Sequence, residues 1–530
     1  MQLAYKWQAA SVVALGLFMA VLDNTIVSVA LPQMQKAFHV ADYSSIIWVS
    51  TAYFLAQAAV IPITGYLSDR LGSKTVFLTA LALFTLGSGL CAFAATREAL
   101  IFFRVLQGIG GGALFPTAFA ITFRIFPPAE RGQASALIGV PVLLAPAFGP
   151  TIGGFLTTNF NWNAIFIVNL PLGILTFVMG YLILQGRDEE ARESGLTAKE
   201  RKGFDVIGLV LSMAGFTSLV YGISTAGTAH DGWRDATVDR YLIAGAVLLI
   251  AYVVLALRAS DPVMDVRLFK NYTFTVANIL IWAVSAFLFG SLFLLPYFFE
   301  NVRGYSALST GEIFIVQGLA AAVGVVISGG LYNRFGPRVF AVGGLVLITV
   351  ATYGLTQLSV DTTGASITGF LLIRGLGLGM TNTPLQTVSL ATVTNRDMAR
   401  ASSLVNVTRQ VFSAMGVAIL STYLAQQGKN HASDLAVTFQ NTQLASVQRA
   451  CAVQFGAQGP NAIKGCIQQA AGTYVKNHSI TMGLNDTFVV VMIGCAIAAV
   501  LAIFLGRDPT LAKGAQAQAS AERRPALVAE

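Results

Sequence analysis

Charge is what this sequence has least of. Asp, Glu, Lys and Arg make up 11% of its 530 residues and hydrophobic types 55%, whereas a soluble chain is about 25% charged. A folded protein this apolar could not cover itself with water-compatible surface, so a soluble globular class is excluded. The composition points to an integral membrane protein with the lipid bilayer as its first partner.

Catalytic signatures are missing as well. No GxxxxGK[ST] phosphate loop occurs, so ATP does not drive the chain directly, and neither HExxH nor GxSxG is present. His39, His230, His431 and His478 match no metal-ligand spacing, so no metal site and no enzymatic role are expected. Cysteine is rare, at four residues. Cys91 and Cys495 fall in apolar runs and read as packing residues. Cys451 and Cys466 share a polar segment, where a disulfide and two free thiols both remain open.

The net charge of +8 would suit a nucleic-acid partner. Its distribution does not. Lys and Arg gather in alternate connections between apolar runs (Arg70 and Lys74; Arg124 and Arg131; Arg187 to Lys202; Arg258, Arg267 and Lys270; Arg334 and Arg338; Arg396 and Arg400). This is the positive-inside pattern, which places those connections and both termini in the cytoplasm of a cell-membrane protein. The run from Ala9 to Leu31 reads as a first span held by Lys6 rather than as a cleaved signal.

What is present is a series of about fourteen apolar runs long enough to cross a hydrocarbon layer of about 30 Å. They lie near 9–31, 45–67, 75–96, 98–123, 133–156, 162–186, 204–225, 239–257, 273–299, 309–332, 338–358, 363–385, 402–425 and 486–506. Their length argues for helices rather than barrel strands, giving an all-α fold. Between spans 2 and 3 stands Gly65-Tyr-Leu-Ser-Asp69-Arg70-Leu-Gly72-Ser-Lys74, and the pattern returns far along the chain as Gly329 to Arg338, with Asn333 in place of Asp69. The chain therefore contains two related halves. Spans 1–6 form an amino-terminal bundle (1–186), followed by a charged cytoplasmic linker (187–203). Spans 7 and 8 are an inserted pair (204–257). A carboxy-terminal bundle (258–506) carries an external loop at 426–485, and a tail follows at 507–530. Asn477-His-Ser and Asn485-Asp-Thr fit the glycosylation sequon.

Of the 25 carboxylates, Asp23 alone reads as lying well inside a span, while Asp205, Glu300, Glu312 and Asp486 fall near span ends. An ionised group at mid-bilayer costs roughly 2.5–3.5 kcal/mol, so Asp23 must be paired, protonated or wet. Its available partner is Arg104 on span 4. Helical spacing lines Arg104 up with Gln107, Gly108, Gly111 and Phe115, a stripe stripped of bulk by its glycines. One reading is a switch: with Arg104 near, Asp23 stays ionised, and with Arg104 withdrawn, burial favours the proton-bound form. The other is a fixed ion pair that orients spans 1 and 4. Asn24, Gln107 and Phe115 are candidates for a substrate cavity beside it.

In span 5, Ala145, Gly149 and Gly153 recur at every fourth residue and Pro146 and Pro150 interrupt the backbone ladder, with Gly154 following. That face suits tight packing and a bend. Gly65, Asp69, Arg70, Gly72, Lys74, Glu130 and Arg131, with Arg334 in the second half, could latch the cytoplasmic ends of spans in one conformation; otherwise they only set topology. Ser309 and Glu312 have the spacing of a capping box. Arg374 and Arg409 lie within spans and show no acid partner.

Taken together, these motifs resemble the major facilitator superfamily, and in particular its fourteen-span drug:proton antiporters of the EmrB/QacA type. Gly65–Lys74 is similar to the superfamily's loop motif, Leu22–Pro32 to the first-span motif of the fourteen-span group, and Arg104–Gly112 to a fourth-span motif linked to proton coupling. Ala145–Gly154 is similar to the fifth-span antiporter motif. Trp162, Phe166, Asn169 and Pro171, and the stretch from Asp261 to Lys270, also match this group. The resemblance implies two six-helix bundles plus an inserted pair, with Asp23 and Arg104 coupling protons to the outward export of small lipophilic compounds, cations among them, by alternating access. No cofactor is expected beyond the proton gradient. Export of an endogenous metabolite, siderophore or lipid precursor is the alternative. An external adaptor protein would dock at 426–485, a segment with no apparent coiled-coil repeat.

Overall fold

The computed structural model describes residues 2–39, 43–127, 130–186, 205–226, 232–292, 294–395, 397–455, 460–506 and 508. The linker expected at 187–203, Arg396, and the 507–530 tail other than Asp508 lie outside them.

Hydrocarbon offers the backbone no hydrogen bonds, so a spanning segment must satisfy its own peptide groups, and helices do so locally. The helices in chain order are α1 (Gln2–Ala37), α2 (Tyr43–Leu71), α3 (Ser73–Ala92), α4 (Arg97–Ile125) and α5 (Arg131–Asn159). α6 (Ala164–Ile183), α7 (Val206–Ala226) and α8 (Ala236–Arg258) follow. α9 (Tyr272–Val284) runs through a π-turn at Ser285–Phe289 and is completed by α10 (Leu294–Asn301). Then come α11 (Ala307–Leu355), α12 (Gly364–Ala391), α13 (Met398–Thr442), α14 (Leu444–Phe455) and α15 (Pro460–Ile503). Hydroxyls inside the spans bond back onto their own helix, as Thr64 does to the Val60 carbonyl at 3.0 Å and Thr176 to that of Leu172 at 2.7 Å. Large apolar side chains such as Leu86, Phe102, Leu182 and Ile207 point outward, each at least 63% exposed. They form the belt a bilayer would cover.

α11 contains two spans. Gly336 breaks it with φ +74°, as Gly72 separates α2 from α3 with φ +87°. Both angles lie in the left-handed region that costs glycine least. With α9 and α10 as one broken span and α11 as two, the chain makes fourteen crossings. The first half is α1–α6 and the second α9–α13 with α15. α7 and α8 pack on each other, and α7 also lies on α2 and α13, at one flank of the seam between halves.

Two sequence expectations change. The stretch at 426–485 is not an irregular loop: α13 continues helically to Thr442, α14 follows, and α15 begins at Pro460. At 1.5 Å per residue, 45-residue α13 is about 68 Å long, roughly twice the hydrocarbon thickness. Its polar, Gln-rich extension stays helical because its own backbone bonds and the neighbouring α15 support it. There Cys451 and Cys466 are joined by a disulfide, and His431 meets Asp486 at 2.7 Å. Asn485, expected as a sequon, uses its side chain on both backbone groups of Leu358, at 2.9 and 3.0 Å. The second change is at the start of α11. Ser306, not Ser309, is the cap, accepting from the Ser309 N–H at 3.1 Å, so Glu312 is not part of a capping box.

Candidate functional site

Asp23, on α1, is 1% exposed and its carboxylate accepts from three side chains. Arg104 Nη1 donates to Oδ2 at 2.6 Å, while Gln107 Nε2 and Asn169 Nδ2 donate to Oδ1 at 2.9 and 2.8 Å. Arg104 also donates to Gln107 Oε1 at 2.8 Å and, through Nε, to the Val49 carbonyl at 3.1 Å. Its guanidinium lies 4.0 Å from the Tyr53 ring centre. Asn169 reaches Ser88 Oγ at 3.1 Å, and Ser88 bonds the Phe166 carbonyl at 2.9 Å. One carboxylate thus gathers α1, α2, α3, α4 and α6. Charge-assisted hydrogen bonds in a dry interior are what make such a burial tolerable. Gln107, considered for a cavity wall, is fully enclosed in this network. Asn24 Oδ1 is buried beside it without a hydrogen-bond partner.

At the far end of α2, charges alternate along a chain. Arg124 Nη2 contacts Asp69 Oδ1 at 2.9 Å, Asp69 Oδ2 contacts Arg400 Nε at 3.1 Å, and Arg400 Nη1 contacts Asp261 Oδ1 at 2.6 Å. Asp69 belongs to the first half and Arg400 to the second. Gly65 permits that approach, since a Cβ there would sit 2.7 Å from the Ala399 carbonyl oxygen. Other bonds joining the halves gather at this end: Thr387 to Ser135 at 2.7 Å, Ser402 to the Pro116 carbonyl at 3.0 Å, and Arg131 to Asn395 at 3.3 Å. Other charged residues of the expected latch make contacts within their own half. Glu130 pairs with Lys6, Arg70 lies over Tyr66, and Arg334 over Phe335. Lys74 donates to the Tyr181 carbonyl at 2.8 Å at the end of α6. Arg338, its counterpart in the second copy of the loop pattern, donates to the Leu505 carbonyl at 2.9 Å just past α15.

Span 5 is packed from both sides. Gly149 faces Thr25 and Gly153 faces Ile26 of α1, while Gly154 faces Leu308 of α11. Pro146 and Pro150 lie within α5, which stays helical through both. The duplication shows in the same register. Gly108, Gly110 and Gly112 press on Tyr53, Ala80 and Gln57; their counterparts Gly375, Gly377 and Gly379 press on Gln317, Gly344 and Ala321. The three glycines keep one constant offset between the halves, and so do the three residues they meet. Between the halves lies a cavity bordered by Phe115, Phe119, Val142, Asn382, Gln386 and Arg409, among others.

A duplicated bundle with the Gly72 and Gly336 turns and the helix-packing glycines in register is what the family comparison then names: the Major Facilitator Superfamily profile matches residues 13–417. The chain belongs to the Major Facilitator Superfamily. Among relatives of this major facilitator protein, the uncharacterized MFS-type transporter YhcA of Bacillus subtilis (strain 168) is 31% identical, the alignment covering 92% of this chain and 91% of YhcA. The multidrug resistance protein B homolog of Mycobacterium tuberculosis (strain ATCC 25618 / H37Rv) is 36% identical over 81% of this chain and 78% of that protein. The solved proton:xylose symporter XylE shares the fold with a TM-score of 0.61 at 11% identity, over 96% of this chain and 98% of that one.

Sequence reasoning about this major facilitator chain missed several participants. Asn169 was visible only as part of a resemblance run, and nothing in a one-dimensional pattern shows that it bonds Asp23. Cys91, read as packing, donates its thiol to Gln107 Oε1 at 3.8 Å. Arg124, Arg400 and Asp261 carried a signal, since each is a charge at a span end, but their partners lie 55 to 331 residues away from them. Arg374, which had no evident partner, is in packing register with Gln107 and donates one bond, to Ser291; its Nε and Nη1 are buried without partners. Arg104 has buried Leu371 as its counterpart, so among the described residues the second half holds no equivalent ion pair.

Proposed function

We propose that this transporter is a proton-coupled exporter of lipophilic compounds, exchanging inward proton flow for outward cargo by alternating access. The observation that carries the reading is Asp23, an acid sealed from solvent whose negative charge is matched by one cation, Arg104. A carboxylate so placed can accept either a proton or the guanidinium, and exchange between them links a proton to a change of shape. The halves are closed against each other at the Asp69 end, which the positive-inside pattern assigns to the cytoplasm. One proton moving through 100 mV supplies about 2.3 kcal/mol. The multidrug resistance protein B homolog among its relatives supports drugs as cargo.

The test is purified protein in sealed vesicles with an imposed pH gradient and a panel of cationic, neutral and anionic lipophiles. Export that accelerates with the gradient and disappears in Asp23→Asn is expected. Equal export with and without the gradient, at clamped voltage, would exclude proton coupling.

A further inference from the structure

Three pairs that the duplication relates line the cavity between the halves. Asn382 corresponds to Phe115, Gln386 to Phe119 and Arg409 to Val142, at the same offset along the chain that relates the packing glycines of α4 and α12. The cavity therefore has two unlike walls. The first half contributes two phenyl rings, the aliphatic side chains of Ile138, Val142 and Leu143, and one hydroxyl, that of Ser135. The second contributes two carboxamides and a guanidinium at the matching places, and the Thr383 hydroxyl.

Among the described residues, no Asp or Glu borders the cavity, and Arg409 makes no hydrogen bond or ion pair to any of them. Its guanidinium lies 5.3 Å from the centre of the Phe115 ring, the one ring contact it makes. Gln386 donates to Asn382 Oδ1 at 3.0 Å, which leaves the Asn382 amide nitrogen available. An arginine on an aromatic face keeps its donors directed sideways, toward whatever enters. In a low-dielectric cavity its charge has no protein counter-charge, and a planar oxyanion fits its fork.

We propose that these two walls, which enclose only about 20 Å³ while the halves are closed, bind amphipathic anions as the halves part, with the apolar body on Phe115, Phe119 and Val142 and a carboxylate or other oxyanion on Arg409 and Asn382. The assignment rests on the transport reading above and gives it a cargo class: lipophilic acids in preference to lipophilic cations. Asp23 does not conflict with this, because it is enclosed in its own network and borders no part of the cavity.

The experiment is equilibrium binding to the full chain in phosphatidylcholine nanodiscs, without any gradient. Two fluorescent probes share one apolar body: 4-(1-pyrenyl)butyrate and 4-(1-pyrenyl)butylamine. The expected result is butyrate bound at least tenfold more tightly than the amine. Arg409→Gln should lose about tenfold in butyrate affinity with amine affinity unchanged or improved, and Arg409→Lys should retain most of it. Competition by phosphatidylglycerol that depends on Arg409 would identify a lipid headgroup as an occupant and uphold the oxyanion assignment. Amine binding equal to or tighter than butyrate in the unaltered protein overturns the proposal, and this arm needs no variant to fold. So does undiminished butyrate affinity in Arg409→Gln. Because no gradient is applied, anion binding without proton-driven export would count against the transport reading alone. Proton-driven export of cations without anion binding would count against the cavity assignment alone.

Discussion

Asp69 on α2 and Arg400 on α13 meet at 3.1 Å across the seam between the two halves, and each also holds a second opposite charge, Arg124 and Asp261 respectively. The pair is a link in an alternating row, which makes it more than a latch of two residues. Reversing both charges would put Arg at 69 beside Arg124 and Asp at 400 beside Asp261. Asp69→Asn and Arg400→Gln are each expected to loosen this end by about 1.5–3 kcal/mol, the range of a hydrogen bond to a charged group. The double reversal should not rescue them. Alkylation of a cysteine placed at Ser402 reports the opening, with a rate increase of about tenfold expected for about 1.4 kcal/mol. Full rescue by the reversal would show that Arg124 and Asp261 take no part.

Replacing Asp23 by Asn leaves Arg104 buried with no counter-charge. Losing one partner of a buried pair typically costs about 3–5 kcal/mol. The variant should still insert, melt at lower temperature than the parent, and show no gradient-driven export in vesicles. Downhill cargo flux, if any remains, should no longer respond to pH. A retained pH response would remove Asp23 from the coupling step.

Asn169 donates to Asp23 at 2.8 Å. Asn169→Ala removes a hydrogen bond to a charged acceptor, worth about 1.5–3 kcal/mol. The variant should melt at a lower temperature than the parent and lose most of its gradient-driven export, while cargo affinity measured without a gradient stays the same. Full gradient-driven export in the variant would make Asn169 a packing residue.

The Cys451–Cys466 disulfide closes a 15-residue separation at the tip of the helical extension. In the chain-entropy picture a loop of that size is stabilised by about 3 kcal/mol. The Cys451→Ser, Cys466→Ser double variant should exchange amide hydrogens faster in α14 and the first turns of α15. Transport in vesicles should be unchanged, because the extension lies beyond the apolar part of α13. A transport defect without faster exchange would assign the extension a direct role in moving cargo.

Membrane class, fourteen crossings and the duplicated halves are properties of the sequence alone, because they depend on local quantities: run length, composition, and a glycine that must turn left-handed at 72 and again at 336. The pairing of Asp23 with Arg104 was also legible, since two charges in hydrocarbon have few places to go. The helical extension was not, because polarity at 426–485 says that a segment is wet without saying that it is irregular. Which charges meet at the Asp69 end, why Asn169 belongs to the acid, and that Arg409 faces Phe115 across a cavity with unlike walls were decided only by the packing of helices far apart in the chain. Burial and hydrogen-bond satisfaction are collective, and residue order does not carry the distances that create them.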